Sequence, residues 1–286
     1  MADVRLGLIG CGLLAERGYV PAAQRAQGVR LAAVADTVAE RCATAAPGVP
    51  AFSSAAELLA AGAADALVLA TPASTHVADA RRAAAAGVAA LIEKPPAPSA
   101  IEAEALMALS PAPYIGFNRR FEPALRELRD KAARAGQVRL QLLLHRRRAS
   151  WPSYESADPV ALDLGPHLVD LAFWLTGGEA ARVRGQAGVD KLELEIELAD
   201  GRGTAHVECA LGPRYRERVD VGGVGSFRRG GLRSALAARR ESPLVASLAL
   251  QLESFARAAR GDCVDADLAT CADGVRVMRA LECVTS

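Results

Sequence analysis

The sequence predicts an α/β chain that opens with a parallel, helix-covered sheet and continues as an α+β region built on an open, mostly antiparallel sheet. Three observations predict it. Short apolar runs alternate with helical patterns over the first 117 residues. The first of those runs ends in a glycine-rich turn, Gly10-Cys11-Gly12-Leu13-Leu14-Ala15. Further along, Lys191–Leu198 sets leucine or isoleucine against charged residues at a strict period of two, the mark of a strand buried on one face only.

Leu6, Leu8 and Ile9 form the apolar run that a buried parallel strand needs. The turn after it fits G-x-G-x-x-G/A. Gly10 permits the tight turn, Gly12 lets the backbone approach a pyrophosphate, and Ala15 lets helix pack closely on strand. Phosphates would sit on the first-turn amides of the next helix, at Leu13 and Leu14, where backbone N–H groups have no intrahelical partner. That helix is expected to run to about residue 27. Val29–Ala35 is the second strand. It ends in Asp36, 24 residues after Gly12, near the spacing for a carboxylate that accepts from adenosine ribose hydroxyls. Strand, glycine turn, helix, strand and acid in this order predict a Rossmann dinucleotide-binding domain.

The remaining elements follow in turn. Helices are predicted over 37–45 and 54–61, the second with Ser54 as N-cap and Gly62 beyond its end. A fully apolar strand at 66–70 leads into Thr71-Pro72. Helix 74–86 is closed by Gly87, and strand 89–92 follows. Ser99 starts a helix with Glu102 three positions on, a capping box. A short strand at 113–116 ends the first domain, so the boundaries are drawn at 1–117 and 118–286. The second domain should hold a longer strand at 137–145, a helix at 163–175 ended by Gly177-Gly178, the 192–198 strand, and a hairpin turn at Asp200-Gly201. A returning strand at 203–210, a further strand at 215–221, and helices at 243–259 and 267–283 complete it.

Composition narrows the function classes. Hydrophobic residues are 51% of the 286 and charged residues 23%, enough to bury a core. Thirty-four basic side chains against 33 acidic ones leave a net charge of +1, which argues against nucleic-acid binding as the function of the whole chain. No apolar run approaches the ~20 residues of a membrane span. The first strand begins near Val4 and leaves no room for a signal peptide. Six cysteines are scattered without a C-x-x-C, so they read as reduced cytoplasmic thiols rather than a disulfide framework or a metal site. Lysine occurs only at Lys94, Lys131 and Lys191.

Three places carry candidate chemistry. Ile92-Glu93-Lys94-Pro95-Pro96 lies at the carboxyl end of a parallel strand, where open α/β sheets bind ligands. Beside an apolar strand a lysine loses its proton more readily and can serve a substrate oxygen. Lys94 is either that group or a surface lysine in a proline-rich loop. Asp163 and His167 are spaced i, i+4, which puts both on one face of a helix. They form either an acid–base pair or a helix cap followed by a packed histidine. Asn118 and Arg119 stand at the domain junction, where a cofactor would meet a substrate.

Taken together, these pieces resemble the Gfo/Idh/MocA family, the glucose–fructose and inositol dehydrogenase group. The resemblance covers nearly the whole chain. It rests on the opening G-L-I-G-C-G, on Thr71-Pro72 with Ser74-Thr75-His76, on Glu93-Lys94-Pro95, on Gly116-Phe117-Asn118-Arg119-Arg120-Phe121, and on the stretch 163–170 followed by Phe173-Trp174-Leu175-Thr176-Gly177. It implies a nicotinamide enzyme moving hydride to or from a sugar or cyclitol carbon. Lys94 and His167 would flank the reacting hydroxyl, and Asp163 would lie on the substrate or orient them. Gly10, Gly12, Leu13, Leu14, Asp36, Thr71, Pro72, His76, Glu93, Lys94 and Asn118 are then the candidate cofactor contacts. Arg119, Trp151, Asp163 and His167 are the candidate substrate contacts. Two glycines that family members often carry ahead of the aspartate are replaced here by Asp158-Pro159, so the loop entering the site differs.

The expected activity is NAD(P)-dependent hydride transfer at a secondary alcohol or ketone carbon of a sugar, cyclitol or nucleotide-linked sugar. NAD is preferred because Asp36 repels a 2′-phosphate, with Arg41 one helical turn away as the opposing influence. A C=N reductase on the same fold and a non-catalytic nucleotide-binding regulator are the alternatives. Arg146, Arg147 and Arg148, with the acid-free and arginine-rich stretch 224–240, read either as solvated loops or as a holder for an anionic substrate. The outer face of the second sheet is expected to carry the glutamates of 191–198 together with Leu140, Leu142 and Leu144; these alternate with Gln141 and Leu143, so that strand should be covered on both faces. The resemblance implies that the outer face pairs subunits, so a homodimer or homotetramer is expected.

Overall fold

The structure is a computed structural model and describes residues 2–147, 159–230, 242–262 and 264–285. Two compact units form, Met1–Phe121 with Ser242–Val275 and Glu122–Glu241 with Arg276–Ser286. The first is built on β1 (Val4–Ile9), β2 (Val29–Ala35), β3 (Ala51–Phe52), β4 (Ala66–Leu69), β5 (Ala89–Glu93) and β6 (Tyr114–Gly116). These lie in the order β3-β2-β1-β4-β5-β6, all parallel, with the Ala269–Thr270 strand antiparallel on β6. Chain order reverses between β1 and β4, which is where ligands enter such sheets. Every residue of β4 is buried, as a strand covered by helices on both sides requires.

Local signals act as expected at several helix starts. Ser54 accepts a hydrogen bond from the Glu57 N–H at 3.2 Å and Ser99 from the Glu102 N–H at 3.3 Å. The segment after the glycine turn departs from the single helix expected there. It contains a π turn, Ala15–Tyr19, before the α-helix Val20–Arg25. Pro21 has no N–H to offer the Arg17 carbonyl, and the chain widens instead so that the Val20 N–H reaches Ala15.

The compact units do not follow one cut near residue 117. Helix Pro243–Ala259 belongs to the first unit. Its Val245, Leu248, Leu252 and Phe255 share one core with Leu6, Leu8, Tyr19 and Val20. Gly18 is part of that fit, since a Cβ there would stand 2.9 Å from Leu248. An apolar stripe on a helix shows that it covers a sheet, but not which sheet.

The second unit holds β7 (Val138–Arg147), β8 (Ala180–Ala187), β9 (Lys191–Leu198), β10 (Gly203–Gly212), β11 (Arg216–Val221) and β12 (Gly225–Gly230), in the order β12-β11-β7-β10-β9-β8. Only β7 and β10 run parallel; the other neighbours are antiparallel. Leu192, Leu194, Ile196 and Leu198 are buried while the glutamates between them face outward, as the period of two requires.

Two expectations need correction here. Leu140, Leu142 and Leu144 do not reach the outer face. Leu142 pairs in register with Val207, which pairs with Leu194, so all three leucines lie on the inner, buried face. Gln141, Leu143 and His145 occupy the outer one. The start of the arginine-rich stretch is also not a loop, since Gly225–Gly230 pairs along the whole of β11. Phe227 packs opposite Val219, and Arg229 reaches back to Glu122 and Glu217. Charge on the outward positions hid the strand. Residues 231–240 of that stretch, and Arg148, lie outside the described residues.

Candidate functional site

The carboxyl ends of β1, β2, β4 and β5 gather most of the expected cofactor residues on one edge of the first sheet. Gly10 has a φ of +92°, and a Cβ on it would come 2.6 Å from the Ala70 carbonyl oxygen; only glycine fits that turn. Gly12 is the opposite case, because a Cβ there would meet nothing within 4 Å. The space before it is open where a pyrophosphate would lie, and the Leu13 and Leu14 amides open the helix beyond. The residues present therefore fit a dinucleotide.

Asp36 does more than its spacing suggested. One carboxylate oxygen accepts from the Cys11 N–H at 2.8 Å and the other from the Val38 N–H at 2.9 Å. Arg41 stands 3.8 Å from it. The acid at the end of β2 thus tethers the glycine turn itself. Beneath that turn Cys11 and Cys42 bring their sulfurs to 3.6 Å. Burial pushes the Cys11 thiol far up, with Cys42 and Asp36 adding to it, and the two buried side chains pack as small apolar groups.

At the ends of β4 and β5 the side chains are more buried than a cofactor surface would suggest. Thr71 and Pro72 lead into helix Ala73–Ala85, with the Thr75 hydroxyl donating to the Thr71 hydroxyl at 2.8 Å. His76 is 1% exposed. Its Nε2 lies 2.8 Å from the Thr71 carbonyl and its Nδ1 3.1 Å from the Pro95 carbonyl. Burial, aided by the charge of Lys94, pulls its pKa from the ordinary 6.5 to about 4 against the backbone hydrogen bonds, which raise it. Glu93 is buried too. It accepts from the Tyr19 hydroxyl at 2.5 Å and from the Lys94 N–H at 3.0 Å. Burial raises its pKa, while the Lys94 charge and the Tyr19 hydrogen bond oppose the rise. Lys94 is half-buried and precedes a cis peptide bond to Pro95. Asn118 is buried, and its amide nitrogen donates to Ser247 at 3.0 Å. Arg119 next to it is half-buried.

The second unit holds the other pair. Asp163 and His167 do not share one unbroken helix. A short helix, Val160–Asp163, stops at Leu164, and a second, Gly165–Thr176, begins after it. Pro166 is the cause: its ring cannot sit over the Leu162 carbonyl in a continuing helix, and the His167 N–H bonds to Leu164 instead. Asp163 forms an ion pair with Arg146 of β7 at 2.6 Å. Arg146, expected in a solvated loop or on an anionic substrate, is thus engaged within this unit. Trp151 lies outside the described residues. Tyr19 and Ser247 were not legible as contributors, because their partners are far away in sequence; Arg146 was marked for its charge but not as the partner of Asp163.

Comparison with known proteins agrees with this geometry. Residues 4–111 match GFO_IDH_MocA, described as an oxidoreductase family with an NAD-binding Rossmann fold. The rhizopine catabolism protein MocA of Rhizobium meliloti is 30% identical over all of this chain and 95% of its own length. Inositol 2-dehydrogenase 4 of Saccharopolyspora erythraea is 32% identical over 78% of this chain and 72% of its own. Among solved structures, a UDP-N-acetylglucosamine 3-dehydrogenase from Acidithiobacillus ferrooxidans superposes with a TM-score of 0.77 at 28% identity, covering 99% of this chain and 97% of that one.

Proposed function

The chain belongs to the Gfo/Idh/MocA oxidoreductase family, and from that premise we propose that it oxidises or reduces a ring carbon of a cyclitol or sugar, with NAD as hydride partner. The observation that carries this reading is Lys94, a half-buried ammonium at the end of β5, beside the buried Glu93 and on the same sheet edge as the glycine turn. Bound nicotinamide supplies or takes the hydride. The glycine turn and the first-turn amides hold the pyrophosphate. Asp36 takes the ribose hydroxyls and disfavours a 2′-phosphate.

Lys94 or His167 holds the proton of the reacting hydroxyl. Glu93 stands beside Lys94 and accepts from its backbone N–H, which fixes the turn that carries Lys94. Asp163, fixed by Arg146, orients the substrate. The first compact unit is the cofactor unit in this reading. Arg146 and Arg229 are already engaged by carboxylates, which favours a neutral polyol over an anionic, nucleotide-linked sugar.

A homodimer or homotetramer forms through the outer face of the second sheet, where Gln141, Leu143, His206, Glu208 and Arg218 line a shallow recess. No described helix is long and apolar enough to cross a membrane. The described cysteines are free thiols, which suits the cytoplasm. The test is cofactor turnover, with NAD and with NADP, across cyclitols, free sugars, sugar nucleotides and cyclic imines. Turnover of a cyclitol or free sugar supports the reading, and turnover of cyclic imines alone overturns it.

A further inference from the structure

His76 is buried in the first unit, yet nothing in hydride transfer requires a histidine there. A cofactor contact would leave at least one ring nitrogen pointing outward. Here both face backbone carbonyls, Thr71 at 2.8 Å on the turn after β4 and Pro95 at 3.1 Å on the turn after β5. The first turn opens helix Ala73–Ala85, which carries His76 itself. The second carries Lys94. The imidazole therefore stands as a strut between the two turns.

We propose that His76 is a positioning residue that sets the place of Lys94 by bracing the Thr71 and Pro95 carbonyls, and that it does not touch cofactor or substrate. This rests on the reading of Lys94 as a proton carrier. The chemistry of the strut is particular. A neutral imidazole has one N–H and one lone pair, so it donates to one carbonyl and meets the other with the width of its ring. The charged form would bond to both, but burial and the Lys94 ammonium oppose it. The brace is thus a ring whose length fixes the separation of the turns. Glutamine can restore one donor at about that reach; phenylalanine keeps the bulk and restores none.

A double-mutant cycle tests the proposal. His76→Phe should lower kcat by about tenfold or more and leave the Kd for NAD within about threefold. His76→Gln should recover part of the lost rate. In a Lys94→Ala background the same His76→Phe change should alter turnover by less than about twofold, because the group it positions is gone. A weakening of NAD binding by about tenfold at unchanged kcat would make His76 a cofactor ligand and overturn the proposal. So would a His76→Phe defect that persists undiminished without Lys94. Lys94→Ala alone judges the parent reading separately: wild-type turnover in that variant sinks the role of Lys94. Should His76→Phe fail to fold, nitrogen-15 shifts of the wild-type ring decide. A neutral ring with one hydrogen-bonded N–H, unmoved by NAD, is expected. Ring nitrogens that show no hydrogen bond, or that shift on NAD binding, refute the strut.

Discussion

Tyr19 reaches from the π turn behind the glycine turn to the end of β5, where its hydroxyl donates to Glu93 at 2.5 Å. Both side chains are buried. The other Glu93 oxygen holds the Lys94 N–H. One carboxylate therefore joins the dinucleotide turn to the residue read as proton carrier. Tyr19→Phe keeps the ring and strips the donor, leaving a buried carboxylate oxygen without its hydroxyl partner. The expected cost is about 1–3 kcal/mol, seen as a lower urea midpoint at unchanged slope. An unchanged midpoint would show that the bond contributes nothing.

Acid should weaken the protein through His76. The folded ring has its pKa lowered from 6.5 to about 4, so the unfolded chain binds more protons between those values. The contribution is fully present above pH 6.5 and is lost as pH falls toward about 4, on the order of 3 kcal/mol in all. Glu93 acts in the opposite sense. Its raised pKa gives a contribution present below the ordinary 4.5 and lost as pH rises. Unfolding of the wild type and of His76→Phe across this range separates the two. Parallel curves would contradict a ring held neutral by burial.

Wild-type protein should bind NAD at least about tenfold more tightly than NADP, since Asp36 opposes a 2′-phosphate. Asp36→Ala removes that opposition and releases Arg41, 3.8 Å away, toward the phosphate. It also removes the acceptor of the Cys11 N–H, so affinity for both cofactors should fall while their ratio moves toward NADP. Fluorescence titration with each cofactor measures this. An unmoved ratio would take the choice of cofactor away from Asp36.

Lys94→Ala and His167→Ala should each lower turnover by roughly 10²-fold, with NAD affinity changed only a few fold. Asp163→Asn should also slow turnover, through orientation rather than proton transfer. Because Arg146 fixes Asp163 at 2.6 Å, Arg146→Leu should copy part of that defect. A His167→Ala enzyme with wild-type kcat would remove His167 from the chemistry. Normal turnover in Arg146→Leu would show that Asp163 needs no such anchor.

Sedimentation at micromolar concentration should give a dimer or tetramer rather than a 29.8 kDa monomer. The outer face of the second sheet is polar, with His206 paired to Glu195 and His145 to Glu208. An interface built there should accordingly weaken when Leu143→Asp places a charge beside Glu208, its neighbour in register. A monomer in the wild type would end the proposal.

The parallel sheet, the glycine turn and the alternating β9 strand were readable because each follows from short-range pattern. So were the Ser54 and Ser99 caps. What escaped depends on partners distant in the chain. Asp163 and His167 had helical spacing, but Pro166 between them broke the face they were to share. Leu140, Leu142 and Leu144 were readable as buried, while the side of the sheet they face is set by their register with β10. Gly225–Gly230 was hidden because its outward positions are arginine and serine, and the strand is stabilised by Phe227 and by Arg229 on Glu122. His76 stood in a motif whose sequence gives no sign that both ring nitrogens turn inward.

The return of helix Pro243–Ala259 to the first unit has a consequence for synthesis. Residues 1–121 leave the ribosome well before the helix that covers Leu8, Tyr19 and Val20. At roughly 5–20 residues per second, that apolar surface waits on the order of ten seconds for its cover. A nascent chain arrested near residue 230 should therefore expose a sticky flank and draw chaperones, while release of some thirty further residues should end the dependence. A segment made more than a hundred residues later is what completes the core of the first part.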